Sequence, residues 1–177
     1  MLLASREQIR EAGRFADYEA LLSAQARAEL ESVLVGSWQP LALAEEHYAA
    51  IDRLNLSDSQ VATLTSSAAE KLHGIFLSTL SKMVRSSGIT PWSVAPMSGK
   101  IWSRLFVGGA LAIRQAGPTD ARVVLAGFPL VRSRYLRLGI AQHLATAIRF
   151  VVARRPSVRP QALDLEGGRA EYLLHWR

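Results

Sequence analysis

Cysteine is absent from the 177 residues. That excludes disulfides, thiolate zinc sites, iron–sulfur ligation and cysteine nucleophiles. Lysine is scarce: Lys71, Lys82 and Lys100 are the only three, so arginine carries the basic character. Acids are scarce in one half. Residues 89–177 hold 4 Asp+Glu against 13 Lys+Arg, and residues 1–88 hold 11 against 8, giving +9 and −3 within the net +6. Gly and Pro total 19 of 177, too few for a collagenous or low-complexity chain. Long apolar runs are also missing. Arg149, Arg154 and Arg155 interrupt the most apolar late segment well short of the roughly 18 residues of a membrane span. Charges begin at Arg6 and Glu7, too early for the apolar stretch of about 7 to 15 residues in a signal peptide, so a cytoplasmic location is expected.

What is present is a globular composition, 49% hydrophobic and 20% charged. The length fits a single α+β domain over residues 1–177 with one sizeable core. Residues 1–88 read as helical. From Ser5 to Leu34 the many Ala, Glu and Arg favour helix with a break at Gly13 and a stop at Gly36. Leu41, Ala44, His47, Tyr48, Ile51 and Leu54 then recur on one helical face. Ser57 followed three residues later by Gln60 predicts a capping box. The helix it opens runs to about Arg85 through Leu64, Leu72, Phe76 and Leu80. Pro91 and Pro96 mark Ile89 to Ser98 as a crossing loop carrying Trp92, with a short helix expected at Gly99 to Phe106.

The period changes near Gly108. Ala110 to Arg114 and Arg122 to Ala126 are β-prone runs around Gly117-Pro118-Thr119-Asp120, a hairpin composition. Ser133 to Ala153 returns to helical spacing. Val158 to Leu165 and Arg169 to Trp176 flank Glu166-Gly167-Gly168 as a second hairpin, with Tyr172 and Trp176 on its buried face. The second half, residues 108–177, thus reads strand-strand-helix-strand-strand. Helices segregated from hairpins predict an N-terminal helical half packed on a four-stranded antiparallel sheet.

The catalytic motifs fail one by one. Ser98-Gly99-Lys100 lacks the first glycine of a phosphate-binding loop, because Val94 stands there. No Gly-x-Ser-x-Gly nucleophile turn exists. The four histidines His47, His73, His143 and His175 form no His-x-x-x-His array, so no metal site is expected. His47 and His143 lie on or beside apolar stripes, where an axial haem ligand would sit, and so would an ordinary core histidine. The basic segment Arg132-Ser133-Arg134-Tyr135-Leu136-Arg137 gathers guanidiniums near a helix start that Ser133 caps. With Arg154 and Arg155 it is the candidate surface for an anion or an acidic partner, and with Arg159 for nucleic acid. The competing reading pairs these arginines with Glu45, Glu46 or Asp52.

Several stretches carry a resemblance. They are Trp38-Gln39-Pro40, the Tyr48 to Leu56 helix, Gly108-Gly109, Gly117-Pro118-Thr119-Asp120-Ala121, Gly127-Phe128-Pro129-Leu130 with Tyr135, and Tyr172-Leu173-Leu174-His175-Trp176. Together they resemble an uncharacterised family of about this length found chiefly in myxobacteria. That family is distantly similar to the ligand-binding fold of nitric-oxide-sensing haem domains, 4-vinyl-reductase domains and small TRAPP subunits. The resemblance implies a non-enzymatic ligand-sensing or protein-interaction module, homodimeric, in bacterial signalling. It implies an apolar cavity, expected here at Phe76, Leu80, Trp102, Ile140 and Leu144. The Tyr-x-Ser-x-Arg signature that holds haem propionates is not matched by Tyr135-Leu136-Arg137-Leu138-Gly139.

Overall fold

In the computed structural model, residues 1–67, 90–149, 151–152 and 156–176 are described. Helix α1 (Leu2–Glu11) ends before Gly13, whose φ of 69° turns the chain into α2 (Phe15–Ala20). A second break separates α2 from α3 (Ala24–Ser32), because Ser23 caps α3 by accepting the amide of Ala26. The expected early helix is therefore three short ones. Helix α4 (Leu41–Arg53) buries Leu43, His47, Tyr48, Ala50 and Ile51; of the expected face His47, Tyr48, Ile51 and Leu54 are buried, whereas Leu41 at the helix start is exposed and Leu43 is buried instead. The capping box forms reciprocally. Ser57 N–H donates to Gln60 Oε1 at 2.8 Å and Gln60 N–H donates to Ser57 Oγ at 3.3 Å, opening α5 at residues 58–67. The remainder of that expected helix, with Phe76 and Leu80, lies outside the described residues.

The expected crossing loop is corrected in part. Pro91 starts a helical turn, α6 (Pro91–Val94), which a 3₁₀ turn Ala95–Met97 continues into α7 (Ser98–Leu105). A proline in the first turn of a helix lacks only an amide that would be unpaired there anyway, so Pro91 begins a helix as readily as it ends one.

Strands β1 (Ala110–Gly117) and β2 (Asp120–Ala126) form the first hairpin, and β3 (Ser157–Asp164) and β4 (Arg169–His175) the second. All pairings are antiparallel in the order β1-β2-β4-β3, so the two hairpins join through their second strands. The register puts Ala121 beside Leu174, Val123 beside Tyr172 and Leu125 beside Ala170. All six are buried and face the core, while Arg122 and Leu173 between them point the other way. Edge strand β3 tolerates Pro160, and its pairing slips between Pro160 and Ala162.

Between the hairpins, a 3₁₀ turn Pro129–Arg132 leads into α8 (Arg134–Arg149). Tyr172 on β4 donates its hydroxyl to Arg137 O of α8 at 3.2 Å. On the other side α8 meets the helical half. Tyr48 and Tyr135 stack at 6.2 Å, and a Cβ at Gly139 would stand 3.3 Å from the Thr65 methyl, so glycine permits the approach of α5 to α8. The fold is thus α+β, with helices packed on one face of an open four-stranded antiparallel sheet.

Candidate functional site

Two concave features adjoin α8, one interior and one on the surface. The interior one is a void of about 20 Å³ walled by Ser5, Tyr48, Thr65, Tyr135, Gly139 and His143, among others. It has room for about one water molecule. Beside it lies a buried polar network centred on His47, which is fully buried. Ser5 donates its hydroxyl to Leu2 O at 2.9 Å, so its oxygen accepts the Nε2–H of His47 at 2.6 Å. Nδ1 of His47 then accepts the Tyr18 hydroxyl at 2.6 Å. The network assigns the Nε2–H tautomer and satisfies both ring nitrogens. Burial, reinforced by the Arg6 guanidinium, pushes the imidazole down to about 3, so His47 is neutral. Burial likewise raises the phenols of Tyr18, Tyr48 and Tyr135.

The surface feature is a cleft of about 360 Å³ between the first turns of α8 and the β3–β4 hairpin, with Asp58 at one end. Its walls are apolar at Leu138, Pro160, Ala162, Leu163 and Ala170, and polar at Arg134, Arg137, Gln161, Glu171 and Tyr172. The volume lies in the range of small-molecule sites. Its charges are largely matched within the protein. Arg134 pairs with Asp58 and donates Nη1–H to Leu56 O at 2.9 Å. Glu171 pairs with Arg169 and reaches Arg122 at 3.9 Å. Arg137 is different: its Nη1 donates to the carbonyls of Val131 at 2.5 Å and Arg132 at 2.9 Å, and no carboxylate faces it among the described residues. Tyr172 titrates high, at about 12, chiefly through burial, against which the nearby Arg137 acts.

The sequence-predicted residues scatter. Arg134 and Arg137 meet in the cleft, whereas Arg132 is exposed and turns its Nε toward Leu165 O at 3.4 Å. Arg154 and Arg155 lie outside the described residues, as do Phe76 and Leu80. Trp102 packs against Phe106 and Phe128, with centroids at 4.3 and 4.8 Å. Ile140 is buried and Leu144 half-buried on α8, and none of these three lines the cleft or the void. Ser133 caps α8 as expected, accepting Leu136 N–H at 3.2 Å. The amides of Arg134 and Tyr135, which an outside anion would need, are taken by the carboxylate of Asp52. Asp52, one of the acids the sequence offers as a partner for this segment, binds the main chain rather than a guanidinium. Arg159 is exposed on β3, and Tyr172 and Trp176 are buried in the core, which leaves them unavailable for stacking on bases. Sequence reasoning missed the cleft residues Pro160, Gln161 and Leu163, because a slip in strand pairing leaves no periodic signal.

No family model and no curated protein matches the chain. Solved structures do. A mutant H-NOX protein from K. algicida, Fe(II) unliganded, is 6% identical with a TM-score of 0.66, covering 98% of this chain and 92% of that one. An oxygen-binding H-NOX domain related to soluble guanylate cyclases, as its oxygen complex, is 10% identical with a TM-score of 0.61, covering 97% and 90%. An H-NOX mutant from T. tengcongensis is 8% identical with a TM-score of 0.61, covering 98% and 94%. At these identities the likeness concerns the fold.

Two further solved neighbours concern haem distortion, one of them in the H-NOX family, which makes the fit of a haem to the residues present a relevant question. Both nitrogens of His47 are engaged, and His143 is itself in contact with a partner. His175 Nδ1 bonds Asp120 Oδ1 at 2.7 Å. The indole N–H of buried Trp102 is unpaired, but an indole is a donor and ligates no iron. The void, about 20 Å³, has room for about one water molecule and not for a porphyrin. Ligation by His47, an alternative left open by the sequence, does not fit its doubly engaged ring, whereas His143 borders the void and His73 lies outside the described residues. No helix among them is long and apolar enough to cross a membrane, and no group of acids and histidines among them could hold a metal. The chain therefore has an H-NOX-like α+β fold.

Proposed function

We propose that this protein is a non-enzymatic ligand-binding module of bacterial signalling, a single cytoplasmic domain that takes a small molecule in the cleft between α8 and the β3–β4 hairpin. One observation carries the reading: the cleft of about 360 Å³ combines apolar walls with a guanidinium that no carboxylate among the described residues neutralises. The H-NOX-like fold supports a sensing role by analogy, and the motif resemblance to the myxobacterial family points the same way. Native mass spectrometry of freshly purified protein tests it. A bound mass that leaves on denaturation, and fails to bind when Ala162→Phe fills the cleft, supports the reading. Absence of any bound mass, together with no thermal shift across a library of small organic molecules, overturns it.

A second reading is a homodimeric or partner-binding module. It is favoured by an exposed stripe of Met97, at the end of the 3₁₀ turn, with Ile101 and Leu105 of α7, beside exposed Lys100 and Arg104, which pair with no acid among the described residues. Light scattering that shows a monomer at micromolar concentration removes the homodimer. A nucleic-acid role would rest on exposed arginines such as Arg114, Arg122 and Arg159. A low-salt titration without binding removes it.

A further inference from the structure

We infer that the ligand of the cleft is an apolar monocarboxylate, clamped by the free edge of the Arg137 guanidinium; the inference rests on the cleft being the ligand site. Two main-chain carbonyls of the 3₁₀ turn, Val131 O and Arg132 O, hold Nη1 of Arg137. Among the described residues its Nε and Nη2 find no acceptor. A guanidinium fixed at one corner is pre-organised, and its remaining donors form the fork that matches the two oxygens of a carboxylate. The neighbouring main chain is held as well, since Arg137 O accepts the Tyr172 hydroxyl.

Charge decides between anions. Asp58 and Glu171 at the cleft are already matched by Arg134 and Arg169, so one positive charge, that of Arg137, is left over. A monoanion cancels it. A phosphate dianion would bring a second negative charge close to two carboxylates and no further cation. The apolar walls, Leu138, Pro160, Ala162, Leu163 and Ala170, offer no hydrogen bonds from side chains and ask for a hydrocarbon body, with Gln161 the neutral polar group at its margin. Leu163 is half exposed, so that body would cover it.

Isothermal titration of the full chain with octanoate, 2-naphthoate, octanol and octyl phosphate tests the proposal. One or both carboxylates are expected to bind at least about tenfold tighter than octanol and octyl phosphate, and the two carboxylates separate a flexible chain from a flat ring as the body. Leu163→Glu sits at an exposed position, leaves the fold intact and adds a negative charge to the wall, so it is expected to abolish binding. Arg137→Lys keeps the charge and loses the fork, and is expected to weaken carboxylate binding by about tenfold. Equal binding of octanol, or carboxylate binding that survives Leu163→Glu, overturns the inference. A neutral or dianionic ligand displaced by Ala162→Phe would overturn the carboxylate class while leaving the cleft as the ligand site. No ligand of any class would remove both.

Discussion

The carboxylate of Asp52, at the end of α4, accepts the main-chain amides of Arg134 at 3.0 Å and Tyr135 at 2.8 Å, at the start of α8. A helix begins with amides that have no partner within the helix and a partial positive charge, so an acid from another helix both caps and anchors it. The side chain of Arg134 closes the same joint by pairing with Asp58 at the start of α5. Asp52 thus fastens the helical half to the element that covers the sheet.

Replacing Asp52 by Ala should lower stability by about 2 kcal/mol, since it removes the cap and strands two amides. Asp52→Asn keeps one acceptor and should lose about half as much. Chemical denaturation with an unchanged denaturant slope would check both values.

Acid should weaken the fold through His47. Its folded pKa, about 3, lies below the ordinary 6.5, so between these values the unfolded chain binds a proton that the folded chain refuses. The stabilisation by neutral His47 is complete above pH 6.5 and is lost as pH falls toward 3, by up to about 1.4 kcal/mol per pH unit. His47→Gln should be less stable at pH 7.5 yet show a shallower decline on acidification. Parallel pH curves for the two proteins would contradict the assignment.

Gly168 and Gly108 offer a matched pair. Both have positive φ, 61° and 82°, but a Cβ at Gly168 would meet Phe128 N at 3.0 Å, whereas at Gly108 it meets open space. Gly108→Ala should cost about 1 kcal/mol from backbone strain alone. Gly168→Ala should cost more, because the Gly168 carbonyl accepts Phe128 N–H at 2.9 Å and the turn cannot shift without losing that bond. Melting temperatures of the two variants would rank them.

Any Soret band that haem gives with the purified protein should be unchanged in His47→Gln, because both ring nitrogens of His47 are engaged within the protein. A histidine-ligated spectrum that disappears in His47→Gln would reverse the reading of the buried network, while the same spectrum in His143→Gln and His47→Gln alike would direct attention to another ligand.

Local chemistry made much of the fold legible. The α4 face from His47 to Leu54, the Ser57–Gln60 capping box, the turn at Gly117-Pro118 and the alternation ending at Trp176 each depend on residues a few positions apart, and each is present. Pro91 misled because the same side chain that forbids a helix interior suits a helix start. The candidate site was less legible. Arg134 and Arg137 could be singled out as a charge cluster, but which of their donors stay free depends on Asp58 and on carbonyls of the preceding turn.

By itself, the sequence determined the α+β class, the position of most elements, the charge division and the absence of thiol chemistry, because periodicity, caps and composition act over short range. Tertiary structure alone decided that β2 pairs with β4, that His47 is sealed between Ser5 and Tyr18, and that Asp52 spends its charge on amides 82 residues away. Those outcomes are contacts between distant segments, chosen by how well whole surfaces fit and how completely buried polar groups are satisfied, and no local pattern encodes that choice.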